Sequence, residues 1–245
     1  EPLVYQGFKA GTPSSITQTI AADGSTEFNF FYERETYDVT IYANPNVSSV
    51  SIGQASDPIK VTMSVKYEAP VTLSATTAPG YSFDSWSTDE AGLMPIDNGV
   101  IWTIPQVTYD IELWANAKAD RVKYYVQHFQ QNAENDDYTL FETEECAGLT
   151  GSDAVASAKS YPGFHVVGSV PVEAKTISGD PSAPTVVRVN YDRDVYTLTI
   201  NKDGHIASVD GAGQYRYGQE ITVSAVPDLP GYVFSNWTVT DASGA

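Results

Sequence analysis

A long internal repeat constrains this chain more than any other feature. The run Tyr32-Glu33-Arg34-Glu35-Thr36-Tyr37-Asp38-Val39-Thr40-Ile41 returns 159 residues later as Tyr191-Asp192-Arg193-Asp194-Val195-Tyr196-Thr197-Leu198-Thr199-Ile200. Upstream, Tyr5-Gln6-Gly7-Phe8 returns as Tyr161-Pro162-Gly163-Phe164. Downstream, Gly80-Tyr81-Ser82-Phe83-Asp84-Ser85-Trp86 returns as Gly231-Tyr232-Val233-Phe234-Ser235-Asn236-Trp237. Three matches in one order, with offsets that drift by a few loop residues, define a repeat of about 150–160 residues. The repeat is expected to be incomplete at both ends, so that the chain starts inside a unit. In such arrays each unit contacts mainly its sequence neighbours.

Within the repeat the local pattern is that of strands. Tyr37, Val39 and Ile41 alternate with Asp38 and Thr40; Val71, Leu73 and Ala75 alternate with Thr72, Ser74 and Thr76; Val122, Tyr124 and Val126 alternate with Lys123, Tyr125 and Gln127. Period two over runs of this length reads as half-buried strands. One helix is expected, over Ser152–Lys159. A capping residue opens it, Asp153 sits in its first turn, Pro162-Gly163 follows it, and Ala154, Val155 and Ala158 would share its buried face.

Each repeat divides into two module types. Residues 1–36 form the end of a first-type module, 37–118 a second-type module, 119–195 a complete first-type module and 196–245 the front of a second-type module. Short linkers fall near Ala117–Asp120 and Val195–Tyr196. Modules of about 75–80 residues fold alone only with efficient cores, and 16 Tyr, 9 Phe and 4 Trp provide the aromatic mass.

Charge narrows the partners. Asp and Glu number 31 against 13 Lys and Arg, a net charge of −18 spread along the whole chain. Such a surface repels phosphate backbones and anionic lipid, so neither nucleic acid nor membrane insertion is expected. No run approaches the 18 apolar residues of a spanning helix. A single cysteine, Cys146, leaves no intramolecular disulfide and reads as a small hydrophobe in a strand.

The segment from Val122, with Tyr125-Val126-Gln127-His128, Tyr138, Gly148, Gly151, Lys159, Tyr161-Pro162-Gly163-Phe164 and Tyr191-Asp192-Arg193, resembles the mucin-binding-protein and internalin B-type repeats. Residues 5–41 resemble the end of the same repeat, although Ala22-Asp23-Gly24-Ser25 is replaced by Asp180-Pro181-Ser182-Ala183 in the second copy. The Gly80–Trp86 and Gly231–Trp237 elements, each after a Val-Thr-Leu-Ser-Ala-like strand, are similar to the divergent internalin B-type repeat of bacterial surface proteins. The resemblance implies an α+β, β-rich fold of tandem ubiquitin-like β-grasp modules in an elongated array. It also implies a cell-wall or secreted adhesin and carries over no catalytic residue.

Candidate sites are few. His128, His165 and His205 lack metal-ligand spacing, and no Ser lies in Gly-x-Ser-x-Gly. The Asn132–Asp137 loop offers clustered oxygens for a hard cation but lacks the spaced ligands of a calcium loop, and reads as a solvated hairpin. Trp86 and Trp237, each three residues after a phenylalanine, read as equivalent core anchors before they read as sugar platforms. Trp102 and Trp114 carry no stronger case. Arg34 and Arg193 are expected to pair with neighbouring carboxylates on a solvent face. Lys66 and Lys159 are the lysines weighed for an intramolecular isopeptide crosslink. Asn46-Val47-Ser48 and Asn236-Trp237-Thr238 match the N-glycosylation pattern, by accident if the source is bacterial.

No catalytic, cofactor-binding or metal-binding residue is expected, and no cofactor. The expected role is that of a non-catalytic stalk or spacer in a bacterial surface or secreted adhesin. Weak multivalent contacts with host glycans, glycoproteins or neighbouring copies of the chain would accompany it. The alternative is a direct glycan- or protein-binding adhesive module.

Overall fold

In the computed structural model, residues 3–12 and 15–240 are described; the outermost residues of the expected 1–36 and 196–245 modules lie outside them. Contacts divide the chain into two compact units, Glu1–Val122 with Gly148–Ser152 and Ile177–Pro184, and Lys123–Ala147 with Asp153–Thr176 and Thr185–Ala245.

In the first unit β1 (Phe8–Ala10) pairs antiparallel with β2 (Tyr32–Arg34). Nine further strands follow: β3 (Thr36–Ala43), β4 (Val47–Ile52), β5 (Ala55–Asp57), β6 (Lys60–Lys66), β7 (Val71–Thr77), β8 (Tyr81–Ser87), β9 (Pro95–Asp97), β10 (Ile101–Ile104) and β11 (Ile111–Ala119). They form a five-stranded sheet in the order β6-β3-β11-β8-β9 and a four-stranded sheet in the order β10-β7-β4-β5. The alternation in the sequence builds the shared core. Val39 and Ile41 from β3, Val50 and Ile52 from β4, Leu73 from β7, Trp86 from β8 and Leu113 and Ala115 from β11 are all buried in one cluster. β11 is the keystone, parallel to β3 from Ile111↔Val39 to Ala115↔Ala43 and antiparallel to β8, with Ala115 opposite Trp86. Residues this small beside the tryptophan leave room for its ring. Its indole N–H donates to the Gly99 carbonyl at 3.0 Å.

The second unit takes up β12 (Arg121–Gln131), β13 (Tyr138–Leu149), β14 (Phe164–Val167) and β15 (Val186–Arg193) as a sheet in the order β13-β12-β15-β14. β12 and β15 run parallel, from Tyr125↔Val186 to Gln130↔Tyr191. Tyr124, Val126 and His128 of β12 and Val187, Val189 and Tyr191 of β15 are its buried face. Cys146 lies half-buried on β13. Four short strands follow: β16 (Val195–Leu198) with β18 (Gly213–Arg216), and β17 (Ile206–Asp210) with β19 (Ser224–Pro227).

The expected α+β β-grasp architecture is overturned. Every element among the described residues is a strand, and residues 152–159 form no helix. The capping signal there was local, and longer-range partners outcompete it. Asp153 bridges Thr176, the Ala154 N–H donates to the Lys175 carbonyl, and the Ile177 N–H donates to Ser152. Two tyrosines take what remains: Tyr124 donates its hydroxyl to the Val155 carbonyl, and the Lys159 N–H donates to the Tyr191 hydroxyl. Of the expected helical face only Ala154 is buried; Val155 and Ala158 are exposed. A short helix has too little intrinsic stability to resist such competition.

The two copies agree in backbone detail. β17 pairs with β19 as β4 pairs with β7: Val209↔Ala225 matches Val50↔Ala75, and a bulge between Ile206 and Ser208 matches one between Val47 and Ser49. β16 and β18 repeat β3 and β6, with Tyr196↔Tyr215 matching Tyr37↔Val65. The divergent quartets share one local bond, from a serine N–H to the aspartate two residues before it. Ser25 N–H donates to Asp23 Oδ1 at 3.0 Å, and Ser182 N–H to Asp180 Oδ1 at 2.8 Å.

Candidate functional site: a junction built twice

The repeated sequence blocks converge on one arrangement, present once in each unit. In the first, Gly7 turns at φ 74°, a conformation that favours glycine. The ring of Tyr67 lies against its Cα so closely that a Cβ there would sit 2.2 Å from the ring. Phe8 meets Tyr67 edge-on at 5.8 Å, and Tyr37 meets it at 6.2 Å. The backbone closes the contact: the Glu35 N–H donates to the Gly7 carbonyl and the Tyr67 N–H to the Glu35 carbonyl, both at 2.8 Å. Arg34 seals it, donating from Nη1 to the Tyr67 carbonyl at 3.0 Å, with its guanidinium 5.9 Å from the Phe8 ring centre.

The second instance repeats every one of these contacts. Gly163 turns at φ 77°, and a Cβ there would lie 2.3 Å from Tyr217. Phe164 and Tyr196 meet Tyr217 at 6.0 and 6.4 Å. The Asp194 N–H donates to Gly163 at 2.9 Å and the Tyr217 N–H to Asp194 at 2.8 Å. Arg193 Nη1 donates to the Tyr217 carbonyl at 2.6 Å, with its guanidinium 4.8 Å from the Phe164 ring centre. Behind each turn another edge-on pair backs it, Tyr5–Tyr32 at 5.0 Å and Tyr161–Tyr191 at 4.8 Å. Aromatic pairs of this kind contribute about 0.5–1.5 kcal/mol each, and a hydrogen bond from a charged donor about 1.5–3 kcal/mol. The arrangement is a clasp. It fixes the start of a second-type segment against the turn of the first-type segment before it.

Arg34 and Arg193 therefore do something other than pair with neighbouring carboxylates, since carbonyls and aromatic rings take their charge. Tyr67 and Tyr217 escaped the sequence reading altogether. The one available signal was Lys66-Tyr67-Glu68 against Arg216-Tyr217-Gly218, where Glu68 and Gly218 share a positive φ of 61° and 72°.

A polar cluster lies on the core face of the second unit's sheet. His128 is fully buried, with Nδ1 2.9 Å from the Tyr191 hydroxyl. That hydroxyl accepts from the Lys159 N–H, so its own proton is free for Nδ1. The imidazole proton then sits on Nε2, which has no hydrogen-bond partner and lies 3.6 Å from Glu144. Lys159 Nζ is 2.6 Å from Glu142 and 3.2 Å from Glu144. The Tyr161 hydroxyl donates to Glu142 at 2.8 Å. Lys159 and then Tyr161 hold the Glu142 carboxyl below its usual range, and Glu142 pushes the Lys159 ammonium up. Burial, followed by Glu142, pushes the Tyr161 phenol up. Lys159 is thus seated in an ion pair with Glu142 and Glu144. Lys66 is exposed on β6.

These shifts set a pH dependence. The Glu142 contribution is present above the ordinary carboxylate range and lost as pH falls through its lowered value. The Lys159 and Tyr161 contributions are present below their ordinary values and lost as pH rises through the raised ones. Urea midpoints should therefore hold level from about pH 5 to 9 and fall on both sides. Glu142→Gln should flatten the acid limb; a midpoint that climbs on acidification contradicts this.

The remaining candidates are scattered. His165 contacts Asp194 at 2.8 Å, and His205 stacks on Tyr232 at 4.3 Å. No group of three or more His, Cys, Asp or Glu poised for a metal occurs among the described residues. In the Asn132–Asp137 loop Asn135 Oδ1 accepts from Asn132 and from the Asp137 N–H, while Arg216 reaches the Asn135 carbonyl and Asp136. Trp102 packs at the edge of the first unit's core, and Trp114 stacks on Tyr42 at 5.0 Å. Trp86 is fully buried, as expected, whereas Trp237 is 37% exposed.

Residues 46–116 and 196–244 match the family model of the divergent InlB B-repeat domain. No curated protein matches the chain. Both matched stretches fall within second-type segments, which are thus similar to internalin B-type repeats, and repeats of this type occur in bacterial surface or secreted proteins.

Proposed function

We propose that this chain is a non-catalytic spacer region of a bacterial surface or secreted adhesin, whose clasps set the angle between successive modules. The observation that carries the reading is the recurrence of one junction with the same turn, ring contacts and guanidinium seat in both copies. A linker selected only for length has no reason to repeat a geometry, whereas a spacer that must hold a distal head in a set direction does. Weak contacts with host glycans, glycoproteins or neighbouring copies fit beside this role, and the mucin-binding resemblance of residues 119–195 belongs with them.

Spin-label pairs placed across each clasp test it. A spacer of fixed geometry gives narrow distance distributions, equal at the two clasps, that broaden with Arg34→Ala and Arg193→Ala. Distributions as broad as those of a flexible linker would sink the reading. Saturable binding in a glycan and host-protein screen, without narrow distances, would favour the adhesive module.

A further inference from the structure

Two pieces of the first compact unit come from further along the chain. Gly148–Ser152 and Ile177–Pro184 belong by order to the first-type segment 119–195, yet their contacts group them with Glu1–Val122. Between them sits the turn Pro79-Gly80-Tyr81. Gly80 turns at φ 78°, and a Cβ on it would lie 2.4 Å from the Gly179 Cα and 2.5 Å from Thr150 Oγ1. From the other side, a Cβ on Gly179 would lie 2.1 Å from the Pro79 carbonyl oxygen, and one on Gly151 2.9 Å from the Tyr81 hydroxyl. Asp120 laces the contact. Its N–H donates to the Gly80 carbonyl at 2.9 Å, its carbonyl accepts from the Thr150 N–H at 3.0 Å, and its carboxylate accepts from Ser82 Oγ at 2.6 Å. The two loops are tied to each other as well. The Gly151 N–H donates to the Ile177 carbonyl at 2.9 Å and the Ile177 N–H to the Ser152 carbonyl at 2.8 Å. Thr150 and Ile177 are buried.

We propose that Thr150, Gly151, Ile177 and Gly179 form a socket for the Pro-Gly-Tyr turn of a second-type segment, and that seating the turn ties the folding of residues 36–119 to these two loops. The socket selects by exclusion, since a side chain on either glycine meets backbone that cannot swing aside. The other first-type segment gives the contrast. The bonds from Ser25 to Asp23 and from Ser182 to Asp180 align Ala22 with Gly179. A methyl at that position meets the proline carbonyl, so a segment with alanine there does not take this turn. The socket thus sorts first-type segments by the neighbour they accept. This goes beyond the spacer reading, which rests on the clasps at Gly7 and Gly163.

Hydrogen exchange of the full chain, read by mass spectrometry for Gly179→Ala against the parent, tests it. Gly179 has no positive φ, so alanine strains no backbone of its own there. It also lies outside residues 36–119, so a loss within them passes through the contact. Exchange in β7, β8 and β11 is expected to rise about tenfold or more, together with that of both loops. Gly204→Ala, with open space around it, is the control and should change none of these. Acceleration confined to the loops overturns the proposal, as does no acceleration at all. Retained protection in β12 and β15 shows that the second unit stays folded. If it is lost, Ser82→Ala carries the test in the other direction: it removes only the bond to Asp120 and must speed exchange in residues 148–152 and 177–184. Loops unmoved by Ser82→Ala would then overturn the proposal. Spin-label distances across the clasps do not involve Gly179, so the two readings can fail separately.

Discussion

Trp86→Ala is expected to destabilise the sandwich spanning residues 36–119 by about 3–5 kcal/mol, a loss typical of truncating a buried tryptophan. The ring is fully buried in the core, beside Ala115 of the neighbouring β11, and donates to the Gly99 carbonyl. Alanine would leave both a cavity and a buried carbonyl without its donor. The equivalent Trp237→Ala should cost under about 1 kcal/mol, because a ring already 37% exposed has little burial to lose. Urea unfolding of the two single variants makes the comparison within one chain. Equal costs would mean that the two tryptophans sit in equivalent environments after all.

Gly163→Ala should be costly for a different reason. At φ 77° a Cβ is strained by about 1–2 kcal/mol, and here it would also lie 2.3 Å from the base of the Tyr217 ring. The base of a ring cannot swing aside as the tip of a flexible chain can, so Tyr217 must leave its seat. Overpacking of this kind adds about 1–3 kcal/mol. If the clasp is a single device, Gly163→Ala and Tyr217→Ala should be strongly non-additive, with a coupling of about 0.5–3 kcal/mol. The cycle at Gly7 and Tyr67 should give the same coupling. Additive losses at either clasp would show that turn and ring do not act together.

Much of the strand architecture was legible. The alternation at Tyr37–Ile41, Val71–Ala75 and Val122–Val126 gave β3, β7 and β12 with their buried faces, because a strand's facing depends on its own residues. The helix failed where partners far along the chain decided the outcome: residues 175–177 and the hydroxyls of Tyr124 and Tyr191 took the backbone groups that a helix would have paired internally. The clasp shows the same limit. Its turn and arginine lie in runs that repeat within the chain, but each partner tyrosine lies over twenty residues further on, in a stretch where Glu68 in one copy is Gly218 in the other. Trp237 was misjudged because burial belongs to the strands around a residue and not to its motif, and β11 has no equivalent beside it among the described residues.

The seating of Arg34 and Arg193 on carbonyls and rings bears on how the chain behaves in brine. Salt screens charges over a Debye length of about 10 Å at 0.1 M, which weakens exposed ion pairs and also the mutual repulsion of dispersed carboxylates. In a chain of net charge −18 the second effect favours the folded state. Junctions held by surface ion pairs would loosen under the same conditions. These junctions rest on contact-range hydrogen bonds and ring faces, which ions in solution do not displace at that distance. The joints therefore keep their grip while the surface charge is masked.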